Sequence, residues 1–362
     1  MSGGKASETG GASPERGRGS GAPDRNGGVS IKSVAERAGV SIATVSRVIN
    51  APELVAPETS RRVQQAIDEV GYRPNLFAKG LLTRRSRVIG VSLPDIHGQF
   101  YSDLMRSADE RACELGYHLL VSSNAHRPDV GPESSFALDL ADGLIVMLTE
   151  SSRADLDAIA RLSLPTVVIG ADKPGLGLET ITIDNASGVR EAVEHLLAGT
   201  PAHRCCFVGG HRGNIDSDER CAAFVETLRA HGHTVSSEQV ALGEYGFDWG
   251  WEWATASLNA ERLRGSAVLT ANDEIAIGVA SAARDAGLLI PRDLRLVGFD
   301  DSALCRFMRP PLSSVRVPID EIGQEAVNAL VRRLENAKST PRRACLQTSL
   351  VVRESSAVGK VR

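Results

Sequence analysis

No uninterrupted apolar run in the 362-residue sequence approaches the roughly 18 to 20 residues that a membrane helix needs. The N-terminus also lacks the basic-then-apolar pattern of an export signal, so a cytoplasmic protein is expected. The six cysteines, Cys113, Cys205, Cys206, Cys221, Cys305 and Cys345, are scattered, with no Cys-x-x-Cys pair and no histidine at zinc spacing. They read as reduced, mostly buried thiols, and neither a metal nor a cofactor is expected. Missing too are a Gly-x-Gly-x-x-Gly turn, a Gly-x-x-x-x-Gly-Lys-Ser/Thr phosphate loop and a Gly-x-Ser-x-Gly elbow, which argues against an enzyme. No repeat at solenoid spacing is visible.

What is present is ordinary in total and uneven in distribution. With 42% hydrophobic and 24% charged residues, most of the chain has the means to bury a core, and its length suits more than one domain. The net charge of −4 hides an asymmetry: residues 1–87 carry 14 Lys and Arg against 8 Asp and Glu, and the rest carries 27 against 37. The basic end is the nucleic-acid candidate, because phosphate attraction depends on local positive charge. A solvated charged leader would show the same excess.

Residues 1–29 hold almost no large apolar side chain and are expected to be disordered. From Ser30 the text changes to three short helical patterns. Ser30 is placed to cap a helix over 31–38, Ser41 one over 42–50, and Pro57 opens a third to Val70. These form a small headpiece over 30–75, followed by a basic linker over 76–87. Beyond Val88, β-branched runs at 88–93, 118–122, 144–148, 166–169, 205–208, 267–270 and 296–299 alternate with helical stretches such as 101–115, 186–197 and 275–286. Such alternation predicts doubly wound parallel sheets, and 88–355 is too long for one comfortable core, so two α/β lobes with a cleft are expected, with 356–362 as a tail.

Residues 31–50 have helix-turn-helix spacing. Ala35 is small where the second helix crosses the first, Gly39 permits a left-handed turn, and Val45 and Val48 share the buried face of the second helix. Its exposed face then carries Ile42, Ala43, Thr44, Ser46, Arg47 and Asn50, led by Ser41. Arg and Asn can make bidentate contacts to guanine and adenine edges, and Arg47 is the first candidate for direct base readout. A phosphate clamp is its alternative role.

The run Ile31-Lys-Ser-Val-Ala-Glu-Arg-Ala-Gly-Val-Ser-Ile-Ala-Thr-Val-Ser-Arg-Val-Ile-Asn50, followed by Tyr72-Arg-Pro-Asn75, resembles the headpiece of the LacI/GalR family of bacterial transcription regulators. The likeness continues through Asp142-Gly-Leu-Ile145, Asp184-Asn185, Asn272-Asp273, Gly298-Phe-Asp-Asp301, Pro310-Pro-Leu312 and Arg353-Glu-Ser355, in the family's order. It implies a helix-turn-helix headpiece on a two-lobe body built like a periplasmic sugar-binding protein. The implied function is a sequence-specific regulator, a repressor by expectation, binding a near-palindromic operator DNA as a homodimer under a small effector, a sugar or sugar derivative. No Leu-rich heptads follow Ser355, so a dimer rather than a tetramer is expected.

The resemblance also implies roles for single residues. Ala78-Lys-Gly-Leu81 matches the family's hinge, with Leu81 as a minor-groove wedge and Lys79 reaching groove or backbone, while Asn75 adds a DNA contact. Gly80 departs from the usual polar residue and costs about 1 kcal/mol of helix propensity relative to Ala. Arg220, Asn272 and Asp300 match effector-contacting positions, and their chemistry suits sugar hydroxyls. Tyr245 aligns with the family's usual aromatic, and Phe100 and Tyr101 follow the first strand's loop, where a ring could stack on a sugar. Ordinary alternatives stand beside these: helix capping by Asp300 or Asp301, a carboxylate partner for Arg220, and core packing for each aromatic. His97 stands where Asn is frequent in the family. A transport protein would share the body but has no use for residues 30–87.

Overall fold

The computed structural model describes residues 30–72, 85–123, 140–150, 153–172, 177–259, 262–336 and 339–357. The chain divides into two compact units, up to Lys79 and from Gly80 onward.

In the first unit, α1 (Ile31–Ala38), α2 (Ile42–Asn50) and α3 (Pro57–Val70) occupy the spans that the cap residues predict. Ser30 Oγ accepts the Ser33 N–H at 3.3 Å and Ser41 Oγ accepts the Thr44 N–H at 3.1 Å, so each helix start gains a partner for an orphan amide. Each such cap is worth about 1 kcal/mol. Gly39 ends α1 at φ +62°, a left-handed conformation that a side chain would strain. The sharp turn that follows lets Val34, Ala35 and Ala38 of α1 meet Val45 and Val48 of α2 and Val63, Ala66 and Ile67 of α3 in one small core. Arg37 pairs with Glu69 and ties α1 to α3.

The second unit holds two six-stranded sheets. In the first lobe the strands are β1 (Val88–Leu93), β2 (His118–Ser123), β3 (Gly143–Met147), β4 (Thr166–Ile169), β5 (Glu179–Ile183) and β11 (Arg343–Leu346), ordered β11-β5-β4-β3-β1-β2 and all parallel. In the second they are β6 (Cys205–Gly209), β7 (Val240–Leu242), β8 (Ser266–Thr270), β9 (Leu294–Asp300), β10 (Ser313–Arg316) and β12 (Ser349–Val351), ordered β12-β10-β9-β8-β6-β7, with only β12 antiparallel. Helices α4 (Gln99–Glu114), α5 (Arg153–Ala160), α6 (Asn185–Leu197), α7 (Ile215–Ala230), α8 (Phe247–Asn259), α9 (Asp273–Asp285) and α10 (Ile319–Glu335) pack against the sheets. The expected doubly wound, two-lobed body is therefore present. Strands β5, β7, β10, β11 and β12 lie outside the sequence-based assignment; they are short or rich in Ser, Thr and Arg, so their apolar signal is weak.

The chain passes between lobes three times: after β5, between β10 and α10, and between β11 and β12. At these crossings Asp184 N–H donates to Leu346 O at 2.8 Å, and Thr348 Oγ1–H donates to Asp184 O at 2.7 Å. Three parallel connections restrict how the lobes can move. All six cysteines are free, but only Cys205 and Cys305 are buried; Cys206 and Cys221 are half-buried, and Cys113 and Cys345 are exposed, which corrects the expectation of mostly buried thiols. Cys113 lies on the solvent side of amphipathic α4, and Cys345 on β11 at the edge of its sheet, where alternation turns it outward.

Candidate DNA-reading face and inter-lobe cleft

On α2, Val45 and Val48 point into the headpiece core, leaving Ser41, Ile42, Ala43, Arg47 and Asn50 exposed and Thr44 and Ser46 half-buried. Several of these polar groups are already engaged. The hydroxyls of Ser41 and Thr44 lie 2.9 Å apart at the cap, and Asn50 Nδ2–H donates back to Ser46 O at 2.9 Å. The Arg47 guanidinium has no hydrogen-bond or ion-pair partner among the described residues. Asn75, Lys79 and Leu81 lie outside the described residues.

In the body, the strand ends converge on the space between the lobes, where open α/β sheets bind ligands. The lobes touch there. Ile215 N–H donates to Thr149 O at 2.7 Å, and His211 Nε2 lies 2.8 Å from Glu150 Oε1. A Cβ on Gly98, just before α4, would come within 3.0 Å of Glu274 Oε1 from the other lobe.

Arg220, on the second turn of α7, is 4% exposed. Its Nε–H donates to Asn185 Oδ1 at 2.8 Å, its Nη1–H donates to Ala271 O at 2.5 Å, and Asp216 Oδ1 stands 3.9 Å from Nη2. The guanidinium carbon lies 3.7 Å from the centre of the Phe299 ring, a cation–π contact. Asn185, missed by the sequence reading except as part of a family motif, turns its amide to Asp216 and Glu219 at 2.9 and 2.8 Å. The carboxylate alternative for Arg220 is thus present, and much of the guanidinium is committed inside the protein.

Asp300 ends β9 at φ +108°, and Asp301 follows at φ +56°. Neither aspartate caps a helix here. Instead Asp301 N–H donates to Ser314 Oγ at 3.0 Å, while its carboxylate pairs with Arg316 at 2.7 Å and Arg353 at 2.6 Å. Ser302 N–H donates to buried Asp273 at 2.7 Å. This clamp sustains two unfavourable backbone conformations that cost on the order of 1 to 3 kcal/mol each. Burial pushes the Asp300 carboxyl well above the usual carboxylate range; Arg220 opposes that shift, and Asp273, Asp216 and Glu274 add to it.

The aromatic positions divide. Tyr101 and Tyr245 both lie within the electrostatic reach of Asp216 and Asp300, and burial pushes both phenols up, so they stay protonated as donors. Tyr245 OH donates to Asn214 Oδ1 at 3.1 Å, and Phe100 stacks edge-on against Tyr101 with centroids 5.6 Å apart. Asn272 accepts the Ile275 N–H at 2.9 Å and is the N-cap of α9, so its carbonyl oxygen is occupied. Asp95, Asp216 and Glu274 were not singled out from sequence; as charged residues in polar loops and helix starts they carry no distinguishing pattern.

A helix-turn-helix unit joined to a two-lobed α/β body with a polar cleft defines the class of DNA-binding regulators built on a periplasmic-binding-protein-like domain. Family models agree: residues 30–75 match bacterial regulatory proteins of the lacI family, and residues 193–356 match the periplasmic binding protein-like domain. The chain is 32% identical over 332 residues to the HTH-type transcriptional regulator DegA of Bacillus subtilis (strain 168), covering 90% of this chain and 97% of that protein. It is 33% identical to catabolite control protein A of Staphylococcus xylosus, covering 84% and 92%. Among solved structures, the lac repressor dimer bound to operator and the anti-inducer ONPF superposes with a TM-score of 0.79 at 26% identity, covering 91% of this chain and all of that one. A CelR–cellobiose complex superposes with a TM-score of 0.67 at 27% identity, covering 90% and 99%. The chain therefore belongs to the lacI family of DNA-binding transcription regulators. Its relatives are regulators and not enzymes. Among the described residues no helix is long and apolar enough to cross a membrane.

Proposed function

We propose that this chain is a cytoplasmic repressor that binds a near-palindromic operator as a homodimer and answers to a neutral polyhydroxylated effector, a sugar or sugar derivative. The observation that carries the effector class is the charge of the cleft. The Arg220 guanidinium, already tied to Asn185 and Ala271, stands near Asp216 and Asp300, while Glu274 acts on Asp300, and Asp95 and Glu274 both act on Tyr101. A site this rich in acidic side chains disfavours an anionic ligand, whereas a carboxyl group hydrogen-bonds hydroxyls whether charged or neutral, and the tyrosines supply apolar faces with donor tips. Arg220, Asn272, Asp300, Phe100, Tyr101 and Tyr245 are the proposed effector contacts. The cellobiose carried by a similar structure is in keeping with that class.

On the DNA side, Ser41, Ile42, Ala43, Thr44, Ser46, Arg47 and Asn50 form the proposed contact surface, with Asn75, Lys79 and Leu81 beyond it. Arg47 carries the base readout, because Thr44, Ser46 and Asn50 spend polar capacity within the helix. The lac repressor dimer on operator DNA supports the homodimer. Exposed Phe247 and Trp251, one turn apart on α8 of the second lobe, supply apolar surface for a partner copy.

Two measurements test this reading. Selection from random duplexes returns two inverted half-sites, and Arg47→Ala lowers discrimination between the selected site and a mismatch by about 1 to 3 kcal/mol. A thermal-shift panel finds stabilisation by neutral sugars and none by sugar phosphates. Recovery of sequences with no shared element, or stabilisation by the phosphorylated compounds alone, overturns it.

A further inference from the structure

Asp142 makes an unusual investment just outside the sheet it introduces. Its carboxylate accepts from two successive residues ahead of β1: the Ser86 N–H reaches Oδ1 at 2.6 Å, the Ser86 hydroxyl reaches the same oxygen at 2.9 Å, and the Arg87 N–H reaches Oδ2 at 2.9 Å. Strand register does not require these bonds, since Asp142 N–H already donates to Val88 O at 2.8 Å. Ser86 is half-buried and Arg87 exposed, so no core is being closed. Arg87 is nonetheless held at φ +58°, its guanidinium 5.1 Å from the Tyr117 ring centre. A left-handed conformation at a residue with a side chain costs roughly 1 to 2 kcal/mol, and an exposed segment would relax out of it unless held.

The chain one residue earlier is held as well. Arg85 Nη2–H donates to Leu334 O, near the C-terminal end of α10, at 3.4 Å. The far end of α10 begins just past the inter-lobe crossing at Val317, whose N–H donates to Asp300 O at 3.3 Å. At 1.5 Å per residue, α10 spans about 25 Å between these two points. A rigid rod thus runs from the strained turn of the cleft to the place where the linker enters the body. A close crossing with α4 holds that rod in place: a Cβ on Gly323 would lie 2.8 Å from Leu104 O.

We propose that Asp142 is a positioning residue for DNA binding: its clamp holds Ser86 and Arg87, where the described chain enters the first lobe, in one conformation on which operator binding depends. The inference rests on the DNA-binding reading above. Loss of the clamp frees the linker's end without touching the headpiece core or the cleft. Operator binding, which requires a defined headpiece placement, weakens; attraction to random duplex, which does not, stays.

The test compares the wild-type chain with Asp142→Asn and Ser86→Ala. Asn keeps the volume and one acceptor but turns an N–H₂ toward a donor. Affinity for the selected operator is measured beside affinity for a random duplex, with trypsin cleavage after Arg85 and Arg87 followed on the same samples. Asp142→Asn is expected to lose on the order of tenfold in operator affinity, a typical coupling free energy, with unchanged random-duplex affinity and faster cleavage. Ser86→Ala, which removes one of the three bonds to Asp142 together with the Val88 N–H bond to Ser86 Oγ at 3.2 Å, falls between. Equal loss toward both duplexes in both variants means general destabilisation and overturns the proposal, as does unchanged operator affinity despite faster cleavage. If the wild-type chain itself fails to prefer any operator, the DNA-binding reading fails; cleavage unaltered by Asp142→Asn then overturns the clamp on its own.

Discussion

Arg220→Ala is the most demanding test of how the cleft is built. Removing the side chain deletes the donors to Asn185 Oδ1 and Ala271 O and the cation over Phe299, all at a site 4% exposed. Hydrogen bonds from a charged donor contribute about 1.5 to 3 kcal/mol each, without simple additivity. More costly is what remains. Asp216 and Asp300 stay in a site that repels charge, and breaking a buried pair by removing one partner typically costs about 3 to 5 kcal/mol. The midpoint of the second lobe should fall by on the order of 10 °C. Trp249, Trp251 and Trp253 all lie on α8 of that lobe, so tryptophan fluorescence during heating or in urea reports its unfolding. Adding Asp300→Asn to Arg220→Ala removes one stranded carboxylate and should restore part of the loss, a coupling that a double-mutant cycle measures. Arg220→Lys keeps the charge without the planar fork and should fall between. A loss below about 1 kcal/mol for Arg220→Ala, or strict additivity in the cycle, would refute the account of Arg220 as a buried structural cation.

Three further expectations follow from single contacts. Asp300→Asn should raise the thermal midpoint near neutral pH: burial lifts the folded carboxyl above its unfolded value, so stability is lost as pH rises through that raised value, and the amide escapes the loss. Melting curves from pH 4 to 8 should show the gain shrink toward acid; a gain independent of pH contradicts the assignment. Gly278→Ala should cost about 3 kcal/mol or more, because its Cβ would sit 2.1 Å from Phe247 O and 2.7 Å from Trp251 N, backbone atoms with nowhere to move. Normal tryptophan-monitored melting of that variant would mean that α8 and α9 are less tightly joined. Ser41→Ala should cost the headpiece about 1 kcal/mol through its lost cap, seen as faster amide exchange at Thr44 and Val45, with the body unchanged.

The sequence alone determined whatever depends on neighbours along the chain. Caps at Ser30 and Ser41, the glycine turn at Gly39 and proline at Pro57 bound three helices, because the groups they satisfy lie within a few residues. The same holds for inner strands such as β3 and β4, whose burial on both faces writes itself as short runs of Val, Ile and Leu. The exposed face of α2 was likewise legible, since 3.6-residue periodicity turns Arg47 outward once Val45 and Val48 turn in.

What only the tertiary structure decided is how partners far apart in sequence divide the same polar groups. Arg220 looks like a free ligand clamp until Asn185, 35 residues away, and Ala271, 51 residues away, claim two of its donors. The carboxyl of Asp301 is indistinguishable from that of Asp300 in the sequence, yet Arg316 and Arg353 take one and leave the other beside Arg220. Asp142 reads as the start of a strand motif, and only folding brings Ser86 and Arg87 against it. Local hydrogen bonds are set by spacing, which the chain spells out; the allocation of a buried charge depends on which other donors and acceptors arrive, and long-range packing alone determines that.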